Sequence, residues 1–344
     1  MGVDLGELFT KEPCGFDDFK DQIIAIDAYN VLHQFLSIIR QRDGTPLKDA
    51  QGRITSHLSG LLYRTANLVN ARIRPVYVFD GKPHLLKART IQQRRERKEQ
   101  AEKDWKEALE KGDLETARSK AQQTSRVTSE IVDQSKQLLD ALGIPYIQAP
   151  SEGEAQASCM VKKGDAYAVG SQDFDCLLFG TPLLVRHLTS SEKRKLPNKQ
   201  AYTTIHPECI QLLPGLKKLG ISQEQLVDIA ILIGTDFNEG IRGYGPKKSL
   251  QLIQKTGNLE NALNTIPDLT QKPPSEEIDI VRRIFLQPEV TEDYEISWLK
   301  PDPSKVFSIM CDEHQFSRER VTSVLENYSS AQQSTKQKNL FDFR

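Results

Sequence analysis

Two pairs of acidic residues in the middle of the chain have the spacing of a metal-binding site. Glu152 and Glu154 stand in Pro-Ser-Glu-Gly-Glu-Ala, and Asp173 and Asp175 stand in Ser-Gln-Asp-Phe-Asp. In an extended backbone, residues i and i+2 point to the same side, so each pair can present both carboxylates to one site. Converging carboxylates repel one another and recruit hard cations, for which oxygen ligands suit Mg²⁺ or Mn²⁺ better than zinc. A single pair is ordinarily a solvated loop feature, but two pairs flanking a predicted strand favour a metal site.

The elements that would position these acids are apolar strands alternating with helices. The apolar runs predict strands over residues 22–27, 74–81, 144–147, 166–170 and 183–187, and helical patterns cover 31–39 and 57–70. Continuous apolar strands separated by helices indicate an α/β fold with a doubly wound, mostly parallel sheet and helices on both faces. Ligands collect at the carboxyl ends of such strands. Asp27 and Asp80 end the first two strands, so we expect them to join the two acidic pairs at one rim.

A highly charged segment over residues 87–140 separates the second strand from the first acidic pair. It contains helix formers throughout and is interrupted only at Gly112-Asp113. Such segments are usually exposed helices held by i,i+4 charge pairs. The start of this one is strongly cationic, and Lys87 and Arg94, seven residues apart, would share a helix face. Because that face follows Asp80 directly, we predict that it draws a phosphodiester toward bound metals.

A glycine-rich turn follows a seventh acidic residue. The apolar run over residues 227–236 predicts a helix that ends near Gly234 and Asp236, and Gly-Ile-Arg-Gly-Tyr-Gly-Pro-Lys-Lys-Ser then opens another helix. Glycines in such a turn let backbone amides approach a phosphate, and the helix N-terminus and nearby lysines add positive charge. The turn is similar to the hairpin of helix-hairpin-helix proteins, which grip the DNA backbone regardless of sequence. Its predicted DNA contacts are Gly243, Gly245, Lys247 and Lys248.

Taken in order, these motifs resemble the flap endonucleases of the XPG-type structure-specific nuclease family over almost the whole chain. The matching segments are Met-Gly-Val-Asp-Leu, Ile-Asp27-Ala, Val-Phe-Asp80-Gly-Lys-Pro, Ala-Pro-Ser-Glu152-Gly-Glu154-Ala, Ser-Gln-Asp173-Phe-Asp175, Ile-Gly-Thr-Asp236-Phe and Gly-Ile-Arg-Gly-Tyr-Gly-Pro-Lys. The resemblance implies a PIN-like nuclease core and two Mg²⁺ ions, with Mn²⁺ as a substitute. It also implies hydrolysis of 5′ flaps at the junction of single- and double-stranded DNA, with 5′–3′ exonuclease activity possible, in DNA replication, including Okazaki fragment maturation, and in repair.

The resemblance also assigns roles to individual residues. It implies that Asp27, Asp80, Glu152, Glu154, Asp173, Asp175 and Asp236 hold or support the metals, and that Lys87 and Arg94 are the basic pair of a gateway helix. Gly2, exposed once Met1 is removed, would approach the same site, and Arg64 would contact DNA. His33 stands where the family commonly has a stacking Tyr, and we expect its charge to vary near neutral pH.

The implied organisation is one nuclease domain over residues 1–327. It comprises an N-terminal region (1–86), a helical cap or arch (87–140), an internal nuclease region (141–236), and the helix-hairpin-helix motif with C-terminal helices (237–327). Residues 328–344 would form a flexible tail, rich in Ser, Gln and Lys at first. The tail ends in a segment that resembles a box for the sliding clamp PCNA, with Gln337, Leu340 and Phe343 as contacts. Arg344 stands where that box usually has a second aromatic residue.

Composition restricts the remaining possibilities. The net charge of −1 gives no overall basic field, and the five scattered cysteines include no Cys-x-x-Cys, which fits a reducing interior. We expect a monomeric, intracellular, nucleoid-associated protein without a signal peptide or membrane span. The alternatives are a non-catalytic DNA-binding scaffold, which would have lost acids, and an Asp-x-Asp phosphatase, which would not need the hairpin. Within the family, an exonuclease or a junction resolvase stays open.

Overall fold

A computed structural model describes residues 2–190, 193–195, 202–267 and 273–328. Within these ranges the strands are β1 (Glu12–Pro13), β2 (Ile23–Asp27), β3 (Arg74–Phe79), β4 (Tyr146–Gln148), β5 (Ala168–Gly170), β6 (Leu183–Arg186), β7 (Lys193–Lys195), β8 (Tyr202–Thr204) and β9 (Glu208–Gln211). The five strands predicted from apolar runs are confirmed, each with bounds within two residues or so of the prediction. The short strands β1 and β9 and the pair β7 and β8 were not predicted.

The helices alternate with the strands, as the sequence predicts. They are α1 (Ala28–Ile38), α2 (Ser56–Asn70), α3 (Ala88–Glu110), α4 (Leu114–Gln122), α5 (Ser129–Leu142), α6 (Gly153–Lys163), α7 (Asp175–Leu178), α8 (Leu212–Leu219), α9 (Gln223–Ile233), α10 (Pro246–Thr256), α11 (Leu259–Thr265), α12 (Ser275–Leu286) and α13 (Pro303–Phe307). Short 3₁₀ turns lie at Phe16–Phe19 and Leu85–Lys87, a π-helical turn follows at Ser308–Glu313, and a last helix covers residues 318–328. In the described part of the chain, no helix combines the length and apolarity needed to cross a membrane.

One mostly parallel sheet forms the centre of the molecule. Its strand order is β1-β9-β6-β5-β2-β3-β4. The strands from β6 to β4 are parallel to one another, whereas β9 runs antiparallel to β6 and β1 runs antiparallel to β9. Because parallel strands all end at the same edge, the residues that follow β2, β3, β4 and β5 are brought to one rim.

Apolar side chains cover both faces of this sheet. In β2, Ala25 joins a hydrophobic cluster with α6, α7 and α9, whereas Ile24 and Ile26 join a second cluster with α1, α2 and α5. The alternation follows from the two-residue period of a strand, and apolar residues in both phases are what a sheet buried on both faces requires. The predicted doubly wound α/β fold is confirmed.

The charged segment after β3 differs from its prediction. Besides the break at Gly112-Asp113, the chain leaves the helical path again over residues 123–128, where Thr128 caps α5 by accepting a hydrogen bond from the amide of Ile131 (3.3 Å). Helices α3 and α4 pack on each other and bury few side chains, whereas α5 buries Leu138 and Leu139 in the second cluster. The projecting cap therefore consists of α3 and α4, and α5 is a core helix. The hydroxyl caps responsible carry no strong signal in a charged, helix-rich sequence.

A buried histidine connects two helices of the second cluster. His57 on α2 is fully buried, and its Nε2 lies 2.9 Å from Oε1 of Gln134 on α5. Burial lowers the pKa of His57 from 6.5 to about 4. The unfolded chain thus binds a proton as the pH falls through 6.5, while the folded protein does so only near 4. Stability is therefore lost as the pH falls across this window.

Replacing His57 with Gln is expected to reduce this loss of stability. Between pH 6.5 and pH 4, the free energy of unfolding of His57→Gln should fall less than that of the wild type, by about 1–3 kcal/mol. Urea titrations at several pH values would measure the difference. The control is His206→Gln at an exposed position, which should keep the wild-type pH dependence. The same pH dependence in all three proteins would contradict the assignment.

Candidate metal and nucleic-acid site

The seven predicted acids come from elements that end or begin at the same edge of the sheet. Asp27 is the last residue of β2, Asp80 follows β3, and Asp236 follows α9. Glu152 caps the N-terminus of α6 with Glu154 in its first turn, whereas Asp173 and Asp175 lie in and after the loop that leaves β5. The structure therefore brings together the six acids that the predicted strands assign to one rim. It adds Asp236, which the family resemblance assigns to the same site.

Mutual repulsion among the carboxylates is strong because most of them are buried. Burial, together with the charges of Asp80 and Asp173, raises the pKa of Asp27 to about 8. Burial and the neighbouring Glu152 raise the pKa of Asp80 to about 6. A carboxylate in low-dielectric surroundings next to like charges favours its protonated form. These acids therefore lie close enough to titrate as a group.

The second acidic pair belongs to the same group. Burial, followed by the charges of Asp173 and Asp236, raises the pKa of Asp175 to about 7. Burial also raises the pKa of Glu154 well above its ordinary value, and Asp173, Asp27 and Asp175 add to the effect. Strongly raised carboxylate pKa values of this kind are more common at functional sites than elsewhere.

Two cations from the cap partly neutralise the acids. Lys87 Nζ forms a close ion pair with Glu152 and lies 3.7 Å from Oδ2 of Asp236. Arg94 Nη2 donates to both carboxylate oxygens of Asp236, at 2.6 and 2.8 Å. Burial opposes the charge on Lys87, but the nearby carboxylates, Glu152 above all, raise its pKa above the ordinary value. Lys87 lies in the 3₁₀ turn that precedes α3 and Arg94 lies within α3, and both side chains reach Asp236.

The amino terminus of the chain reaches into the acidic cluster. The amide of Gly2 donates to Oδ1 of Asp173 (3.1 Å), and the amide of Val3 donates to Oδ1 of Asp175 (2.7 Å). A Cβ atom at Gly2 would lie 2.2 Å from the carboxylate of Asp175. Only glycine allows this close approach, so the structure explains the residue type at position 2. Met1 lies outside the described residues.

Sequence reasoning missed two side chains that hold the acids in place. The hydroxyl of Ser171 is buried and lies 3.1 Å from Oδ2 of Asp27 and 3.5 Å from Oε1 of Glu154. Asn30 donates its backbone amide to Asp27 (3.0 Å) and places its side-chain amide 3.5 Å from Oδ2 of Asp173. Their positions could have signalled this role, because Ser171 follows β5 directly and Asn30 stands three residues after an acid that caps α1.

The donor set fits hard divalent cations, although the carboxylates have other partners in this arrangement. Across the described ranges, no three Asp, Glu, His or Cys side chains are positioned so that they could jointly hold one ion. Asp236 binds Arg94, and Glu152 binds Lys87. The carboxylates of Asp173 and Asp175 accept hydrogen bonds from backbone amides. All of the clustered donors are carboxylate oxygens, which suit Mg²⁺ and Mn²⁺ rather than zinc.

The predicted hairpin lies beside the acids and is exposed. Gly243 has a φ of +85°, which favours glycine, and Gly245 caps α10. Lys247 and Lys248 in the first turn of α10 are exposed; Lys247 Nζ lies 3.4 Å from a carboxylate oxygen of Glu7, and Lys248 lies over the ring of Tyr244. The prediction that this turn opens a helix is confirmed.

An open groove separates the hairpin from the base of the cap. Its volume is about 1110 Å³, and Arg89, Arg97 and Arg242 are among the lining residues. Thr90 on α3 bridges the two sides, because its hydroxyl donates to the backbone carbonyl of Asp236 (2.9 Å). The groove thus has three arginines in its walls and adjoins Asp236, the acid that Thr90 contacts.

The remaining predicted contacts have different surroundings. Arg64 lies half-buried on α2. His33 lies on α1, where burial first and then the charges of Lys98 and Arg94 lower its pKa to about 4. The expectation that His33 changes charge near neutral pH is therefore wrong, because burial, and after it the cations of the cap, keep the ring neutral. Neither effect is visible in the linear sequence. The clamp-box residues Gln337, Leu340 and Phe343 lie outside the described residues.

Comparison with protein families and curated proteins agrees with the geometry. The XPG N-terminal domain model matches residues 10–101, and the XPG I-region model matches residues 143–236. Flap endonuclease 1 of Archaeoglobus fulgidus is 51% identical over 326 residues, which is 95% of each chain. Flap endonuclease 1 of Thermococcus onnurineus is 49% identical over 343 residues, or 99% of this chain and 98% of that protein.

Solved structures give the same result. Flap endonuclease-1 from Methanococcus jannaschii superimposes with a TM-score of 0.75 at 40% identity, covering 96% of this chain and 98% of its own. The catalytic core of Rad2 in complex with DNA substrate gives a TM-score of 0.67 at 25% identity, covering 94% and 97%. The acidic rim, the basic cap helix and the hairpin are thus set in the fold of structure-specific nucleases, and the chain belongs to the flap endonuclease 1 family of XPG nucleases.

Proposed function

We propose that this protein is a structure-specific 5′ flap endonuclease that hydrolyses a phosphodiester at the junction of single- and double-stranded DNA. The observation that carries the proposal is the cluster of seven carboxylates at one sheet edge, with Lys87 and Arg94 beside it. Family membership at close to half identity over nearly the whole chain gives independent support. Replication and repair inside the cell are the processes in which such branched DNA arises.

Divalent cations complete this site in our proposal. Two Mg²⁺ ions, replaceable by Mn²⁺, would be held by Asp27, Asp80, Glu152, Glu154, Asp173, Asp175 and Asp236. When bound, such ions polarise the scissile phosphate and lower the pKa of an attacking water. Ser171, Asn30 and the amides of Gly2 and Val3 hold Asp27, Asp173 and Asp175 in place, whereas Glu152 and Asp236 would have to release Lys87 and Arg94 to bind a cation.

Lys87 and Arg94 would stabilise negative charge on the reacting phosphate. Both lie at the base of the cap and point into the acidic cluster. This role does not require either side chain to transfer a proton. The guanidinium of Arg94 already binds a carboxylate through two oxygens, a geometry that it can also offer to a phosphate.

Recognition of the duplex would rely on contacts to the DNA backbone. The amides around Gly243 and Gly245 and the exposed Lys247 and Lys248 form a phosphate-binding N-terminus on α10. Arg64 on α2 and the groove between hairpin and cap extend this surface toward the acids. Neutral His33 on α1 would stack on a base near the cleavage site.

Neutralising one buried carboxylate should abolish cleavage while DNA binding persists. With a 5′-labelled double-flap DNA and Mg²⁺, Asp175→Asn is expected to cut at the junction at least about 100-fold more slowly than the wild type. Gel-shift affinity for the same DNA in the presence of Ca²⁺ should stay within a few-fold. The control is Asp293→Asn at an exposed position, with a flap-free duplex as the control substrate. Junction cutting that survives in Asp175→Asn, or is absent from the wild type, would refute the proposal.

Removing the guanidinium of Arg94 should slow the chemical step more than it weakens binding. Arg94→Ala is expected to lower the single-turnover cleavage rate by about 10- to 1000-fold, because a charge near the reacting phosphate is lost. The matched control is Arg95→Ala, one position along the same helix, whose exposed side chain pairs with Glu99 (2.9 Å). Equal effects of both variants on rate and affinity would indicate a general electrostatic contribution and contradict a specific role.

We further propose that the tail binds the sliding clamp PCNA through Gln337, Leu340 and Phe343. Apolar residues at the end of a polar tail are best explained by a partner that buries them. Phe343→Ala should weaken clamp affinity by about 10-fold or more in calorimetry, while cleavage without the clamp is unchanged. Gln333→Ala, outside the box, is the control. If Phe343→Ala bound the clamp as tightly as the wild type, the proposed clamp-binding role of this segment would be contradicted.

A further inference from the structure

Two cysteines lie on neighbouring strands at the β1 edge of the sheet. Cys209 lies in β9, and Cys14 directly follows β1, with Glu12 paired to Cys209 and Pro13 paired to Glu208. The amide of Cys14 continues the ladder by donating to the carbonyl of Pro207 (2.9 Å). With this register, Cys14 and Cys209 are diagonal neighbours on the same face of the two strands.

The two thiols are in contact and are accessible. Cys14 hydrogen-bonds to Cys209, and both side chains are half-buried against the second hydrophobic cluster. The other three cysteines stand apart: Cys159 lies on α6, Cys176 is buried in α7, and Cys311 lies in the π-helical turn. Two thiols at diagonal positions on one face of adjacent antiparallel strands, within hydrogen-bonding reach of each other, can approach to form a disulfide.

We propose that Cys14 and Cys209 form a reversible redox pair whose disulfide fastens the amino-terminal segment to the sheet. The oxidant is a small disulfide. One cysteine thiolate attacks a sulfur of that molecule and forms a mixed disulfide, and the first small thiolate leaves. The second cysteine, after losing its proton to solvent, attacks the protein sulfur of the mixed disulfide, and the second small thiolate leaves. Two electrons pass from the cysteines to the small disulfide, which ends as two thiols.

The surroundings indicate which thiol attacks first. The hydrogen bond from Cys14 lowers the pKa of the Cys209 thiol, and the same bond raises the pKa of the Cys14 thiol. Cys209 is therefore the initial nucleophile, since the thiolate is the reactive form. Asp18 and Glu208 place negative charge beside Cys14, and Asp18 and Glu12 do so beside Cys209. Because these acids repel anionic disulfides, an uncharged small disulfide is the better reagent.

A disulfide between Cys14 and Cys209 would restrain the amino-terminal segment. Strand β1 contains two residues, so the ladder alone holds this end of the segment weakly. The same segment carries the Gly2 and Val3 amides that bind Asp173 and Asp175. A disulfide from Cys14 to Cys209 would close a loop of nearly 200 residues that contains every clustered acid except Asp236. Cross-links that close long loops restrict the unfolded chain most, so the oxidised protein should be more stable.

The test is to oxidise the full-length native protein with 2-hydroxyethyl disulfide, quench it with acid and map its peptides by mass spectrometry. The wild type should lose two of its five thiols and yield one linked peptide pair containing Cys14 and Cys209. Its thermal midpoint should rise by several degrees and return to the reduced value with dithiothreitol. Cys14→Ser and Cys209→Ser should each lose both the link and the shift, while Cys159→Ser keeps them.

Two results would overturn the proposal. One is that native wild-type protein keeps all five thiols, or carries only mixed disulfides, under conditions that oxidise free dithiothreitol. The other is a link between any other pair of cysteines. Peptide mapping of the wild type decides both without a variant, so a folding defect in Cys14→Ser or Cys209→Ser cannot obscure the answer.

Discussion

Repulsion among the buried carboxylates is the unfavourable interaction that the other contacts of the site must offset. Burial together with like charges raises the pKa of Asp27 to about 8 and of Asp175 to about 7. Such a cluster costs folding free energy, because each desolvated charge needs a compensating partner. The fold supplies partners of three kinds: backbone amides at the amino terminus, the hydroxyl of Ser171, and the cations of the cap. Local contacts thus offset the cost of gathering these carboxylates at one edge of the sheet.

The parallel sheet gives this constraint its geometry. Because β2, β3 and β5 end at the same edge, acids distant in sequence converge there, and helices α1 and α6 begin there as well. The amide of Asn30 in the first turn of α1 binds Asp27, and the amide of Gly153 at the start of α6 binds Asp80 (2.7 Å). The positive ends of these helices therefore oppose the carboxylate charge. The same architecture that concentrates the acids also stabilises them.

The sequence was sufficient to predict the features of the site that depend on the spacing of apolar residues and on the order of strands and helices along the chain. Apolar runs that end in acids are sufficient to place Asp27 and Asp80 at one rim, and glycine spacing is sufficient to place the hairpin before α10. What sequence missed depends on contacts between distant segments. Strands β1 and β9 are too short to show a period, and they exist because they pair with each other and with β6. The low pKa of His33 likewise depends on burial and on Lys98 and Arg94, which lie more than 60 residues away.

Ion pairs and hydrogen bonds join the base of the cap to Glu152 and Asp236. Asp236 accepts Arg94 through its carboxylate and Thr90 through its carbonyl, and the next residue, Phe237, packs beneath Lys87. A carboxylate oxygen that serves a hard cation is less able to serve Arg94 at the same time. Neutralising the acids therefore weakens the hold of Asp236 and Glu152 on the cap cations, and a phosphate is the natural replacement partner for them. In this arrangement the ion pairs of Lys87 with Glu152 and of Arg94 with Asp236 hold the cap near the acids. In the function proposed above, cations at the acids and a phosphate at Lys87 and Arg94 would replace these ion pairs together.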